Sequence, residues 1–190
     1  MLSQVSLVKI PNDGGIKNTS KGKISNPKPL IIQYRMNEPS YTFSQIDDKL
    51  IFEFESISET KNIRKLIEYR LIDNNTLLYN LALVDILPNG EVSDLSITDN
   101  KDMPKVLSTV FQSILYFFEA KPQAKIFIQG SSPSRTRLYQ IAISKYMIEF
   151  EQKFDIWGFV GNEMELFLKG KNYEIFIIST KKYKDENNRN

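Results

Sequence analysis

The chain contains no cysteine and no histidine among its 190 residues. Without Cys there is no disulfide, no thiolate nucleophile and no Fe–S ligation. Without His there is no Ser-His-Asp triad, and with neither residue no Cys/His zinc site can form. Any catalysis therefore falls to Asp, Glu, Lys, Tyr, Ser, Thr or Arg. An excess of one charge is missing too: 25 Lys and Arg against 23 Asp and Glu leave a net charge of +2. A nucleic-acid binder calls for a concentrated basic face, so nucleic acid is a poorly supported partner. Apolar runs stop after a few residues, as in Ile114-Leu115-Tyr116-Phe117-Phe118. A spanning helix needs about 20, so no membrane association is expected. Met1-Leu2-Ser3-Gln4 shows no basic stretch leading into an apolar one, and the expected location is cytoplasmic.

What is present is an ordinary globular composition, 41% hydrophobic and 25% charged. The length suits a single domain able to bury about 70% of its unfolded surface. Residues 11–29 are dominated by Lys and turn formers (Asn12-Asp13-Gly14-Gly15, Asn26-Pro27-Lys28-Pro29), which reads as a flexible segment. Val5-Ser6-Leu7-Val8 before it reads as a short edge strand. The expected organisation is a short strand plus a flexible basic segment over 1–40, one α+β domain over 41–180 and a frayed polar tail over 181–190.

Within the domain, Tyr41-Thr42-Phe43 and residues 50–54 flank Asp47-Asp48-Lys49 and predict a hairpin. Residues 63–72 alternate in part. Residues 77–87 are nearly all apolar, which predicts a central strand buried on both faces. Pro88-Asn89-Gly90 predicts a tight turn into a partner strand over 91–98. The period then changes. Val106, Leu107, Val110, Phe111, Ile114, Leu115 and Phe118 recur at helical spacing, with Asp102 placed to cap, Pro104 in the first turn and Lys121-Pro122 at the end. Residues 124–129 read as a short buried strand. A second helix follows from Gly130-Ser131-Ser132-Pro133 to about Phe150. Residues 154–160, 164–168 and 173–180 read as three closing strands. The fold expected is α+β, a single mixed, mostly antiparallel sheet with two main helices.

The densest chemical signal is Gln129-Gly130-Ser131-Ser132-Pro133-Ser134-Arg135-Thr136-Arg137-Leu138-Tyr139. A strand ends there, Gly130 permits a tight exit and close backbone approach, Ser132 can cap, and Pro133 suits the first helical position. Free N–H groups of the first turn, the helix dipole and the hydroxyls of Ser131, Ser132 and Ser134 can together form an anion site. Arg135 and Arg137 add fixed positive charge suited to phosphate or carboxylate. Residues two apart project about 200° apart on a helix, so both cannot meet one ligand without one bending round. The same block also serves as a plain strand-to-helix turn. It is not a Walker loop, lacking the Gly-Lys-Ser/Thr ending, nor a dinucleotide fingerprint, lacking partner glycines.

Other polar groups have simpler readings. Asp94, Asp99, Asn100 and Asp102 crowd one junction and have oxygen ligands for a hard cation, but lack the spacing of a known loop, and Asp102 has a capping role available. No metal and no cofactor is expected. Asp47-Asp48 is turn chemistry. Glu53 and Glu55 share a solvated strand face. Trp157 fits packing better than ligand stacking. Lys181-Lys182-Tyr183-Lys184 reads as a solvated terminus.

Two resemblances attach to these residues. Tyr79-Asn80-Leu81-Ala82-Leu83, Gly90-Glu91-Val92-Ser93-Asp94, Lys105-Val106-Leu107-Ser108-Thr109-Val110 and above all the block 130–139 resemble a family of short uncharacterised bacterial proteins. That family is marked by Gly-Ser-Ser/Thr-x-x-Arg-Thr-Arg-Leu-Tyr after a strand. The likeness covers roughly residues 40–160 and implies no activity. The element order also resembles that of the GCN5-related N-acetyltransferases: a central hairpin, a helix, a strand, a helix often containing Leu-Tyr, and closing strands. That likeness implies Tyr139 as a general acid. The acetyltransferase pyrophosphate loop, Gln/Arg-x-x-Gly-x-Gly/Ala, is absent. Thr98-Asp99-Asn100-Lys101-Asp102-Met103-Pro104 stands in its place, without glycine and with two acids.

The functional expectation is a non-enzymatic binding module that holds a phosphate- or carboxylate-bearing ligand at the Gly130 corner. The alternatives are a protein-interaction component of a bacterial toxin–antitoxin or phage-defence system, and a divergent acyltransferase-like enzyme. Arg, Ser and Tyr hold anions better than they move protons near pH 7, because unperturbed Tyr titrates near 10 and Arg above 12.

Overall fold

The structure, a computed structural model, describes residues 39–46, 50–93 and 100–181, the side chains of 147–150 excepted. In chain order the elements are β1 (Ser44–Gln45), β2 (Ile51–Ile57), β3 (Asn62–Asp73), β4 (Leu78–Ile86), β5 (Val92–Ser93), α1 (Met103–Ala120), β6 (Lys125–Ile128), α2 (Pro133–Glu151), β7 (Phe154–Val160), β8 (Glu163–Leu166) and β9 (Ile175–Thr180). The strands form one sheet in the order β1-β2-β3-β4-β6-β9-β7-β8, with β5 paired to β4. Among the described residues only β4 and β6 run parallel. The fold is thus α+β, one mixed, mostly antiparallel sheet with two helices among the described residues, as the sequence implies.

The turn between β4 and β5 forms for the reason its sequence suggests. Gly90 sits at φ +84°, the left-handed region that glycine enters freely. Gly90 N donates to Leu87 O at 2.8 Å, and Leu87 N to Glu91 O at 2.7 Å. The partner strand is described only as Val92–Ser93; residues 94–98 lie outside the described residues. The segments 5–8 and 11–29, Asp47-Asp48, Asp94, Asp99 and Lys182-Tyr183-Lys184 also lie outside them.

Both helices pack on one face of the sheet. The buried strand residues are those of that face: Phe52 and Phe54, Ile67 and Tyr69, Tyr79 and Leu81, Ile126 and Ile128, Phe176 and Ile178, with Ile156. On α1, Phe117 is fully buried, its ring 4.4 Å from Tyr69 and 5.1 Å from Tyr79. Burying one such ring contributes roughly 1.5–3 kcal/mol. Phe111 meets Tyr146 of α2 at 5.1 Å, which joins the two helices, and Phe118 meets Phe154 of β7 at 4.9 Å, which seats α1 on the sheet.

This one-sided arrangement corrects the expectation that the strand over 77–87 is buried on both faces. In β4, Tyr79, Leu81 and Asp85 are buried, whereas Asn80, Ala82 and Val84 on the opposite face are only partly covered. Among the described residues no helix lies on that face, so an apolar run here marks the middle of a sheet, not two-sided burial. Smaller corrections concern element ends. Tyr41-Thr42-Phe43 precedes the first strand, which is Ser44–Gln45. Strand β8 stops at Leu166, and β9 starts at Ile175.

Asp102 does not cap α1 with its side chain. Its carboxylate accepts instead from Tyr41 Oη at 2.7 Å and Ser56 Oγ at 2.6 Å. These hydroxyls are buried on neighbouring chain segments and need an acceptor more than the exposed helix end does. Across the sheet on the helix face, Lys65 and Asp85 form a buried ion pair, directly opposite in the β3–β4 register. No helix among the described residues is long and apolar enough to cross a membrane.

Candidate anion-binding corner

Strand β6 ends at Ile128, and the chain turns through Gln129 and Gly130 into α2. Ser132 occupies the cap position: Arg135 N donates to Ser132 Oγ at 3.4 Å, and Thr136 N to Ser132 O at 3.0 Å. Pro133 follows as the first helical residue, where a missing N–H has no consequence. Ser134 is next, and its N–H has no acceptor within the helix. Ser132 Oγ and Ser134 Oγ stand 3.0 Å apart. This local structure is the one that Gly-Ser-Ser-Pro implies.

Gly130 has a more specific reason. A Cβ there would lie 2.3 Å from Thr136 N and 2.6 Å from the carbonyl carbon of Arg135. The close approach is therefore to the protein's own helix. Gly130 N also donates to the Thr136 hydroxyl at 3.1 Å, and Thr136 is buried. Gly130 and Thr136 together lock the strand exit onto the first turn of α2.

The corner opens on a cavity of about 670 Å³. One wall is the corner itself, with Gly130, Ser131, Ser132 and Ser134, and with Arg137 one turn along the helix. The opposite wall is Asn172, Tyr173 and Glu174, and Gln140 lies between. Arg137 is exposed and lines the cavity; Arg135 is partly buried and does not line it. The two guanidiniums thus diverge, as their spacing on a helix dictates. Tyr139 is also absent from the lining and packs partly buried against the core.

Sequence reasoning missed the opposite wall. Gln140 reaches across to it: Nε2 donates to Lys171 O at 2.9 Å, and Tyr173 N donates to Oε1 at 3.1 Å. Tyr173 in turn donates from its hydroxyl to Glu165 at 2.6 Å and accepts from Leu168 N at 3.1 Å. Lys171 pairs with the same carboxylate at 2.7 Å. The Lys171 ammonium, then the Tyr173 hydroxyl, hold the Glu165 carboxyl below its usual range, and Glu165 raises Lys171. Burial, with Glu165 adding, raises the Tyr173 phenol. The wall is cross-linked by these hydrogen bonds, and its exposed charge, Glu174, is negative. The α2 side, by contrast, presents the helix N-terminus, the serine hydroxyls and the exposed Arg137.

The acid-rich junction before α1 has a different character. Asn100 Nδ2 donates to Ser56 Oγ at 2.7 Å and Ser56 O at 3.2 Å, and Asn100 Oδ1 has no hydrogen-bond partner among the described residues. Asp102 is occupied by Tyr41 and Ser56. Among the described residues no three acidic side chains converge as a metal site. Trp157 lies partly buried on the open sheet face, opposite Leu166 and Ile177. Glu53 and Glu55 share that face, and Glu53 pairs with Arg64.

The described residues thus form an α+β fold, one sheet with both helices on the same face and a cavity at the entry to α2. The chain belongs to DUF6934, a family of unknown function, whose model matches residues 37–181. No curated protein and no solved structure matches it.

Proposed function

We propose that the protein is a non-enzymatic binding module that holds a phosphate- or carboxylate-bearing ligand at the β6–α2 corner. The observation that carries this reading is the 670 Å³ cavity lined by the first turn of α2 and Arg137. Its volume suits a small molecule, not a lone ion. The ligand's anionic group rests on the N-terminus of α2, Ser131, Ser132 and Ser134 supply hydroxyls, and Arg137 clamps one side. Titration calorimetry with inorganic phosphate, nucleotides and small dicarboxylates tests it. A ligand that binds, and binds at least about tenfold more weakly to Arg137→Ala, supports the corner. Absence of binding by all three classes, with an unchanged melting temperature, overturns it.

A second reading, a divergent acyltransferase-like enzyme with Tyr139 as general acid, is favoured by one observation. The succession of elements, a hairpin, α1, β6, α2 and closing strands, is the feature behind this reading. The partial burial of Tyr139 against the core and its absence from the cavity lining weigh against it. Calorimetry with acetyl-CoA decides: no heat of binding rejects this reading. The interaction-component reading concerns a different surface.

A further inference from the structure

Strand β8 is one edge of the sheet, and its outer side is unpaired among the described residues. Phe167 N donates to Ile156 O, so in the β7–β8 ladder the N–H and C=O of Met164 and Leu166 point outward. The side chains of Met164 and Leu166 share the open face and are 54% and 53% exposed, and Leu168 just past the strand is 55% exposed. An exposed apolar edge strand is a template for another strand, and most proteins blunt such edges. The other edge, β1, is short and polar.

The β8 edge carries its own complement. Its first residue, Glu163, is acidic, and Lys169 just beyond it is basic. We propose that a second copy of this chain docks here, antiparallel, about a two-fold axis through Leu166. Leu166 then exchanges its two backbone hydrogen bonds with the partner's Leu166. Met164 meets the partner's Leu168, and Glu163 meets the partner's Lys169. The contact is isologous, so it closes as a dimer instead of growing as a filament. The neighbouring register, centred on Glu165, sets two carboxylates opposite each other and is disfavoured. The paired stretch is short, because the backbone of Leu168 is occupied by Tyr173 Oη and Lys171 N. The dimer therefore falls in the weak class of interfaces that bury less than about 1,200 Å². This surface is separate from the β6–α2 corner, and either reading stands without the other.

Sedimentation velocity of the full chain over a wide concentration range is the test. The expected result is a reversible monomer–dimer equilibrium. Lys169→Glu or Glu163→Lys alone weakens it by about tenfold, and the double exchange restores it to within about threefold. Leu166→Arg abolishes it while the far-ultraviolet spectrum and melting temperature stay unchanged. A strict monomer at every concentration overturns the proposal. So does a dimer indifferent to Leu166→Arg, or one that the double exchange fails to restore.

Discussion

Gly158 lies directly beneath the ring of Tyr173: a Cβ at position 158 would fall 2.3 Å from Tyr173 Cδ1. Tyr173 is 5% exposed and is wedged between this glycine, Phe167 and Phe176. The glycine in the middle of β7 is thus a seat for the aromatic wall of the cavity. Gly158→Ala forces the ring off its seat and is expected to destabilise by about 1–3 kcal/mol, the usual overpacking range. Denaturant unfolding measures it. Combined with Tyr173→Ser, which removes the ring, the same alanine should add almost nothing, and additive losses would sink the explanation.

Gly130→Ala acts on backbone instead. Its Cβ would meet Thr136 N and the Arg135 carbonyl carbon, atoms that cannot swing away. The first turn of α2 must shift, so a loss of about 2 kcal/mol or more is expected, with fraying of the corner. Hydrogen exchange at residues 134–137 reports the fraying. Gly90→Ala provides the contrast. Among the described residues nothing lies within 4 Å of its Cβ, and only the positive φ is strained, so about 1 kcal/mol is expected.

These two glycines mark how far the sequence could be read. Gly130 announces itself, because a glycine between a strand and Ser-Ser-Pro has few other uses. The helix periodicity of α1 and the Asn89-Gly90 turn are equally local signals, and local signals were legible. The far wall of the cavity was not. Gln140 contacts Tyr173 across 33 positions, and Asp102 serves Tyr41 across 61. Only the pairing of strands brings such residues together. Gly158 inside an otherwise bulky strand was the available signal of close approach. The run 77–87 misled for a related reason: apolar character alone does not say how many faces are covered.

The buried pair of Lys65 and Asp85 yields a sharper expectation. Their side chains are 7% and 8% exposed on the helix side of the sheet. Lys65→Met strands the carboxylate of Asp85 in that layer and is expected to cost about 3–5 kcal/mol. Replacing both, as Lys65→Met with Asp85→Leu, should recover most of the loss or exceed wild-type stability. Thermal and denaturant unfolding of the three proteins decides. A double variant no better than Lys65→Met would show that the cost is one of shape and not of unpaired charge.

The Glu165 network predicts a pH dependence whose sign is fixed by its hydrogen bonds. Lys171 and Tyr173 hold the folded carboxyl below its ordinary 4.5. A depressed acid contributes stability that is complete above the unfolded value and is lost as pH falls through the folded one. Lys171, raised above its ordinary 10.5, contributes stability that is present below that value and is lost only as pH rises through the folded one. The link between β8 and the 171–173 segment is thus intact from mildly acidic to moderately alkaline solution. Acidification should loosen it before the core, which is apolar, responds. Glu165→Gln removes this acid-side term, so the stability gap between wild type and variant should shrink as pH drops below the ordinary glutamate range. Hydrogen exchange at Leu168 and Tyr173 would follow the same titration. A gap that stays constant with pH would mean that Glu165 holds Tyr173 by shape and not by charge.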